Sequence, residues 1–115
     1  MLTRSIQIYT TYPVYTQQSA WQPPTDVYET EREVLIRVEI AGMRDGHFHL
    51  TCHERLIVID GARSEIAREQ RAYQQMEIHS GDFRIEVELP ARVNLTALRA
   101  EYDDGFLRIV LPKLN

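Results

Sequence analysis

The residues of this chain best suited to chemistry are histidines that cluster in one short segment. They are His47, His49 and His53, and His79 follows further along the chain. Side chains two residues apart on a β-strand lie on the same face, so His47 and His49 are close enough to share a Zn²⁺ or Cu²⁺ ion, with His79 as a third ligand. The alternative, which we favour, is a row of polar side chains facing solvent. We therefore predict no resident metal ion.

The single cysteine lies in the same segment, on the opposite face of the expected strand. Cys52 is in phase with Phe48 and Leu50, so we expect a small buried hydrophobe and not a nucleophile. No serine, histidine and aspartate form a catalytic motif, and no glycine-rich turn is present to bind phosphate. The sequence therefore predicts neither an active site nor a cofactor, and no use of ATP.

Composition limits the class of protein further. A chain of 115 residues, 43% of them hydrophobic, forms one domain with a modest core that would benefit from oligomerisation. The net charge is -4 and the arginines are scattered, which argues against nucleic acid as a partner. No apolar run approaches the roughly 20 residues of a membrane span. Because a lone cysteine fits a reducing compartment, we expect a cytoplasmic protein with no membrane partner.

The first 25 residues differ in composition from the rest. Their only charged side chain is Arg4, and Pro23 and Pro24 form a stiff, extended joint before the charged remainder. Large aromatic side chains are frequent in this segment: Tyr9, Tyr12, Tyr15 and Trp21. We predict a flexible aromatic arm over residues 1–25, because such a segment cannot build a core of its own.

Several short runs beyond the arm alternate apolar with polar residues, which is the period of a half-buried β-strand. The clearest runs are 34–40, 48–52 and 83–89, and the run 56–59 is apolar on both faces, as expected of a central strand. Asp103, Asp104 and Gly105 form a tight turn between two further runs. Seven or eight such strands predict an all-β fold, an antiparallel immunoglobulin-like β-sandwich over residues 26–113.

Two segments interrupt this series of strands. Residues 62–78 are polar and charged without an apolar stripe, so we interpret them as a long excursion that carries a short strand at 72–76. Further along, Asn94 can cap a single helical turn that runs to Leu98, because its side chain can accept a hydrogen bond from a nearby backbone N–H.

The end of the chain supplies a more specific pattern. Residues 100–113 contain an alanine, a short turn and then Gly105-Phe106-Leu107, and this closely resembles the small heat-shock proteins, the Hsp20 or α-crystallin domain family. The resemblance continues, in the family's order, through 26–30, 38–43, 56–63, 73–83 and 88–90. Position 41 departs from it, because Ala41 stands where the family usually has a proline. The resemblance covers residues 26–113 and implies an α-crystallin domain.

The length of the 62–78 excursion resembles the bacterial and plant type of this domain and implies a dimerisation loop. In that type, a strand of the loop pairs with the first strand of a second copy and so covers an exposed sheet edge. The resemblance therefore implies a homodimer by loop-strand exchange, with larger homo-oligomers left open. The interface would consist of Asp26, Val27 and Tyr28 on the receiving strand and Ala72, Tyr73 and Met76 on the donated one. The alternative is a floppy loop on a monomer.

The family also implies a groove between the strand at 48–52 and the terminal hairpin. Its lining here would be Phe48, Leu50, Leu107 and Ile109. In the family, an Ile-x-Ile/Val motif from a neighbour's C-terminal extension fills this groove, whereas residues 114–115 form a tail remnant without the motif, which argues against large cage-like oligomers. Ile6 and Ile8 in the arm have the required pattern of two β-branched side chains on one face of an extended strand. We hypothesise that the arm fills the groove instead.

The resemblance implies an ATP-independent holdase, a chaperone that binds partly unfolded proteins and suppresses their aggregation under stress. The client-binding residues would be the apolar side chains of the arm: Ile6, Ile8, Tyr9, Tyr12, Tyr15 and Trp21. The alternative is a co-chaperone or adaptor module that binds one folded partner, although that type lacks the long loop. We do not expect an enzyme.

Overall fold

The computed structural model shows a sandwich of two four-stranded β-sheets. It describes residues 20–43, 47–64 and 69–114, together with the backbone of residues 6–9. The strands are β1 (Ile6–Tyr9), β2 (Thr25–Glu29), β3 (Glu33–Glu39), β4 (Phe48–His53), β5 (Leu56–Arg63), β6 (Gly81–Glu88), β7 (Arg99–Asp103) and β8 (Phe106–Pro112). One sheet has the order β1-β4-β5-β6 and the other the order β2-β3-β8-β7. All neighbouring strands are antiparallel except β1 and β4, which are parallel. The predicted fold class is confirmed.

The core lies between the two sheets and is built by the alternating strands. The register of β3 and β8 places apolar residues directly opposite one another, in the pairs Val34–Leu111, Ile36–Ile109 and Val38–Leu107. All of these side chains are at most 1% exposed. Since full burial of one such side chain stabilises a fold by roughly 1.5–3 kcal/mol, this pair of strands is the centre of its sheet energetically as well as by position.

The run that is apolar on both faces occupies the interior of the other sheet. β5 lies between β4 and β6, and its Ile57, Val58 and Ile59 are all buried, so the prediction of a central strand is confirmed. The strand continues beyond the apolar run to Arg63, because these last residues pair with the start of β6. At Gly61 the ring of Phe83 lies so close that a Cβ atom would be 2.8 Å from it. The end of β5 is therefore fixed by a contact that only glycine permits.

The predicted turns form as expected. Asp104 and Gly105 join β7 to β8 with φ values of 54° and 81°, the two positive values that a type I′ hairpin requires. Asn94 caps a short 3₁₀ helix, Leu95–Ala97, where its side-chain oxygen accepts from the Thr96 N–H at 3.1 Å. Both predictions are confirmed.

The strand expected at 72–76 does not form within a single chain. Residues 69–80 take part in no ladder with any described strand. A strand needs a neighbour to complete its backbone hydrogen bonds, and the alternation of side chains along a segment cannot show that such a neighbour exists. Because the expected neighbour of this strand belongs to a second copy of the chain, the strand at 72–76 stays a prediction.

One buried hydroxyl joins the two sheets. The Tyr102 hydroxyl on β7 donates to the backbone oxygen of Ile40 at 2.7 Å and accepts from the Met43 N–H at 3.3 Å. Its ring packs against Phe48 of the other sheet, with the centroids 5.5 Å apart. Tyr102 therefore satisfies the backbone where the chain leaves β3 for β4.

We expect Tyr102→Phe to lower the free energy of unfolding by about 1–3 kcal/mol, because two buried backbone groups lose their partner while the ring packing stays. Urea unfolding at one fixed protein concentration measures the change. Glu88→Gln, which changes an exposed side chain on β6 away from the interaction surface, is the control and should leave the midpoint unchanged. Equal midpoints for the two variants would contradict the role assigned to the Tyr102 hydroxyl.

Candidate functional site: an interaction surface

The first strand of the β2-β3-β8-β7 sheet is an open edge. β2 pairs with β3 on one side, and within the described part of the chain no strand pairs with it on the other. Val27 and Tyr28 are large apolar side chains on this edge and are largely exposed. Asp26 is exposed as well and forms an ion pair with Arg37 on β3, at 2.6 Å. An edge of this kind offers both backbone hydrogen bonds and apolar contacts to another chain.

The excursion after β5 is exposed along the whole of residues 69–80. The exposed residues include Ala72, Tyr73 and Met76 of the predicted interface. Ile78, which sequence reasoning did not single out, is the most exposed large apolar side chain described, at 78%. Its place at the end of a polar segment gave no periodic signal that could have identified it.

Exposed apolar surface is concentrated in these two segments. The large hydrophobic side chains that are exposed in the described residues are Val27 (41%), Tyr28 (46%), Tyr73 (50%), Met76 (61%), Ile78 (78%) and Leu114 (49%). All but Leu114 lie on β2 or on the excursion. We define these two segments, β2 and residues 69–80, as the interaction surface.

Trp21 is not a free side chain of a flexible arm. Its backbone forms a bridge to Phe83, with Trp21 N donating to Asp82 O and Arg84 N donating to Trp21 O at 3.0 and 2.9 Å. Its ring stacks on His79 at 5.2 Å between centroids, and its indole N–H donates to Gly81 O at 3.3 Å. Trp21 is therefore held on the edge of β6 and does not belong to a flexible arm, whereas its role in client binding stays a prediction.

The four residues expected to line a groove belong to the core. Phe48, Leu50, Leu107 and Ile109 are all at most 1% exposed. Leu107 and Ile109 lie on β8, an inner strand of its sheet, and their side chains point between the sheets. Because β1 pairs alongside β4, these side chains are buried with the arm in place, and their role as a groove lining stays a prediction.

The arm segment with the Ile-x-Ile pattern lies beside β4. The backbone of β1 pairs with β4 in parallel, with Ile6 opposite Phe48 and Ile8 opposite Leu50. The structure describes only the backbone of Ile6, Ile8 and Tyr9, and Tyr12 and Tyr15 lie outside the described residues. The hypothesis that this segment fills a groove stays a prediction.

The histidines are distributed and do not converge on one point. His47 and His49 are exposed, and His49 Nδ1 lies 3.8 Å from Asp60 Oδ1 on β5. His79 stacks on Trp21 and is not near them as a third ligand. Within the ranges that the structure describes, no three His, Cys, Asp or Glu side chains are arranged to hold a metal ion.

Cys52 is buried in the core, which confirms its prediction as a small hydrophobe. Burial raises the pKa of its thiol, so the reactive thiolate is disfavoured. Its Sγ lies 3.8 Å from the backbone oxygen of Glu54.

None of the described segments forms a helix of the length and hydropathy that crossing a bilayer requires.

Comparison with known proteins identifies relatives of the whole sandwich. The family model described as Hsp20/alpha crystallin family matches residues 26–115. Small heat shock protein C2 of Rickettsia felis is 29% identical over 92 residues, which cover 79% of this chain and 60% of that protein. Small heat shock protein C4 of the same organism is 28% identical over 103 residues, covering 89% of this chain and 63% of the relative. The chain thus spans about 60% of the length of these curated relatives.

Solved structures show the same fold. Heat shock protein 16.0 from Schizosaccharomyces pombe superposes with a TM-score of 0.73 at 21% identity, covering 85% of this chain and 71% of that one. The hspA protein from Xanthomonas axonopodis superposes with a TM-score of 0.72 at 21% identity, covering 83% of this chain and 96% of that one. At these identities the likeness concerns the sandwich alone.

The pair of Asp60 and His49 makes a pH dependence testable. Burial raises the pKa of Asp60, and this outweighs His49 and Arg84, which lower it. A carboxyl group whose pKa is higher in the folded than in the unfolded chain binds its proton more tightly in the folded chain, so its contribution to stability falls as pH rises through that interval. We expect Asp60→Asn to be more stable than the wild type at pH 7.

At pH 3, where Asp60 is largely protonated, this difference should disappear. Urea unfolding at the two pH values measures it, with Glu88→Gln on the exposed face of β6 as the matched control. A gain in stability that is equal at both pH values would show that the effect of Asp60→Asn comes from something other than ionisation.

Proposed function

Because this chain belongs to the Hsp20/alpha crystallin family, we propose that it is an ATP-independent holdase chaperone, which binds partly unfolded proteins and suppresses their aggregation under stress. The observation that carries the proposal is the pairing of the apolar arm with the edge of β4 through β1, because an arm paired at a sheet edge can detach and present its side chains to a client. The exposed apolar side chains of β2 and residues 69–80 mark a place where a second copy of this chain would bind. The activity needs no chemical step and no cofactor.

The mechanism of such a chaperone is mass action. A partly unfolded client exposes apolar surface that its native state buries, so a holdase binds the unfolded species preferentially. Binding lowers the free concentration of that species, and aggregation slows because it depends steeply on that concentration. We place this activity in the cytosol, a proposal that rests on the lone buried thiol of Cys52.

The proposed assembly is a homodimer in which the excursion of one copy adds a strand to β2 of the other. The open side of β2 supplies unpaired backbone groups, and the exposed excursion supplies a segment without a partner of its own. Val27 and Tyr28 would then be covered by Ala72, Tyr73 and Met76 of the second copy. Ile78, the most exposed of these side chains, extends the set.

Clients are proposed to bind the apolar side chains of the arm. These are Ile6, Ile8, Tyr9, Tyr12 and Tyr15. We leave Trp21 out of the proposed set because its ring is held on the edge of β6. Pairing of β1 with β4 supports a closed resting arrangement, in which the arm must leave the sheet edge before it can bind a client. Warming would favour that release.

The holdase activity is tested by heating an aggregation-prone protein without ATP and following light scattering, then repeating the assay on a second, unrelated protein. We expect suppression of both at near-stoichiometric ratios. Protection of neither would contradict the holdase, and recognition of one folded partner would favour the adaptor.

Replacing Tyr9, Tyr12 and Tyr15 by Ser should abolish protection and leave the dimer intact. Full protection by that variant would move client binding elsewhere on the chain.

The dimer is tested with Tyr73→Ser combined with Met76→Ser. Losing two partly buried apolar contacts on each copy should weaken association by at least about 2 kcal/mol, or roughly 30-fold in the dissociation constant, which sedimentation measures. Leu114→Ser is the matched control, because Leu114 is equally exposed but lies off the interaction surface. An unchanged dimer in the double variant, or the same weakening in the control, would contradict the proposed interface.

A further inference from the structure

Three parts of the chain that are distant in sequence meet at one point beside the interaction surface. Trp21 precedes β2, Arg63 is the last residue of β5, and His79 lies near the end of the excursion that follows it. The Arg63 guanidinium carbon is 4.5 Å from the centre of the Trp21 ring, and the Trp21 and His79 rings stack with their planes 15° apart. We name these three residues the base cluster.

The guanidinium of Arg63 binds backbone and not a carboxylate. Its Nε and Nη2 both donate to the backbone oxygen of His79, the former at 3.1 Å, and its Nη1 donates to Ala41 O at 3.2 Å. A planar guanidinium that donates two N–H groups to one carbonyl oxygen fixes the direction of that carbonyl as well as its distance. Arg63 and His79 are 16 residues apart, so these bonds close the excursion at its base.

Trp21 holds the same point from the other side. Its backbone bridge to Phe83 fixes it against the start of β6, and its indole N–H donates to Gly81 O. Phe83 in turn lies over Gly61, two residues before Arg63. The base cluster is therefore anchored to the core through Phe83, whereas residues 69–78 beyond it are all exposed.

We propose that Arg63 is the positioning residue of the dimer: with Trp21 and His79 it fixes where the excursion leaves and rejoins the sandwich, and so presents residues 69–80 to a second copy. The inference rests on the proposed exchange of the excursion between copies. Fixing both ends of a closed segment reduces the number of conformations that association must select, which lowers the ordering cost of binding. An excursion released at its base would retain its apolar side chains and bind more weakly.

The test compares Arg63→Ala and Arg63→Lys with Arg55→Ala, a matched control that removes one positive charge in the exposed turn between β4 and β5. Sedimentation should show a dimer dissociation constant raised about tenfold or more for Arg63→Ala. Arg63→Lys should restore it only in part, because an ammonium group can keep the contact with the Trp21 ring but not the paired bonds to His79 O. Arg55→Ala should behave as the wild type.

Two further measurements separate positioning from a general loss of stability. Trp21 is the only tryptophan, so its fluorescence reports directly on the base cluster and should shift to longer wavelength in Arg63→Ala. The urea midpoint of the sandwich should fall far less than the dimer weakens. A drop in the midpoint large enough to account for the weaker dimer would overturn the positioning role.

The outcomes also distinguish this inference from the function on which it rests. If Tyr73→Ser with Met76→Ser weakens the dimer and Arg63→Ala does not, the positioning role fails and the proposed interface stands. If neither change affects the dimer, the proposed interface itself fails.

Discussion

Each outer strand of a β-sandwich has one side with no neighbour, and the backbone N–H and C=O groups on that side need another partner. The edges of the two sheets differ. β1 lies beside β4, and the bridge between Trp21 and Phe83 begins to cover β6, whereas β2 and β7 stay open in the described residues. Of these two open edges, only β2 carries exposed large apolar side chains in the described residues, Val27 and Tyr28. The position of the interaction surface follows from this difference.

The part of the fold that local physics determines was predictable from the sequence. Alternation identified the inward faces of β3, β4, β6 and β8, because the period of two is a property of the strand itself. The Asp104-Gly105 turn and the Asn94 cap were predictable for the same reason, since each depends on residues within three positions of one another. The α-crystallin domain followed from the order of several such local patterns and not from any single one.

The properties that the sequence did not reveal are those that depend on neighbours distant in sequence. The position of the strand that carries Leu107 and Ile109, second from the edge of its sheet, is not encoded in its alternation. Composition does not reveal the bridge from Trp21 to Phe83, more than 60 residues away. Whether residues 72–76 pair as a strand depends on a neighbour outside the chain and stays a prediction. Arg63 was recognisable as part of a family motif, but its bonds to His79 and Ala41 were not.

For the proposed dimer, the magnitudes favour an association that exchanges over one that is permanent. Five large apolar side chains on the interaction surface are about half exposed, so covering them contributes roughly 4–8 kcal/mol per protomer when full burial of one is worth about 1.5–3 kcal/mol. Association costs on the order of 4–15 kcal/mol in lost freedom before any side chain is ordered. The two quantities are of similar size, so a modest change in the ordering cost of the excursion decides how much dimer is present. The base cluster holds the ends of the excursion, and residues 69–78 beyond it are all exposed. A few residues therefore determine the ordering cost of association. In the proposed dimer, such a balance allows the two copies to come apart, whereas a larger interface would hold them together.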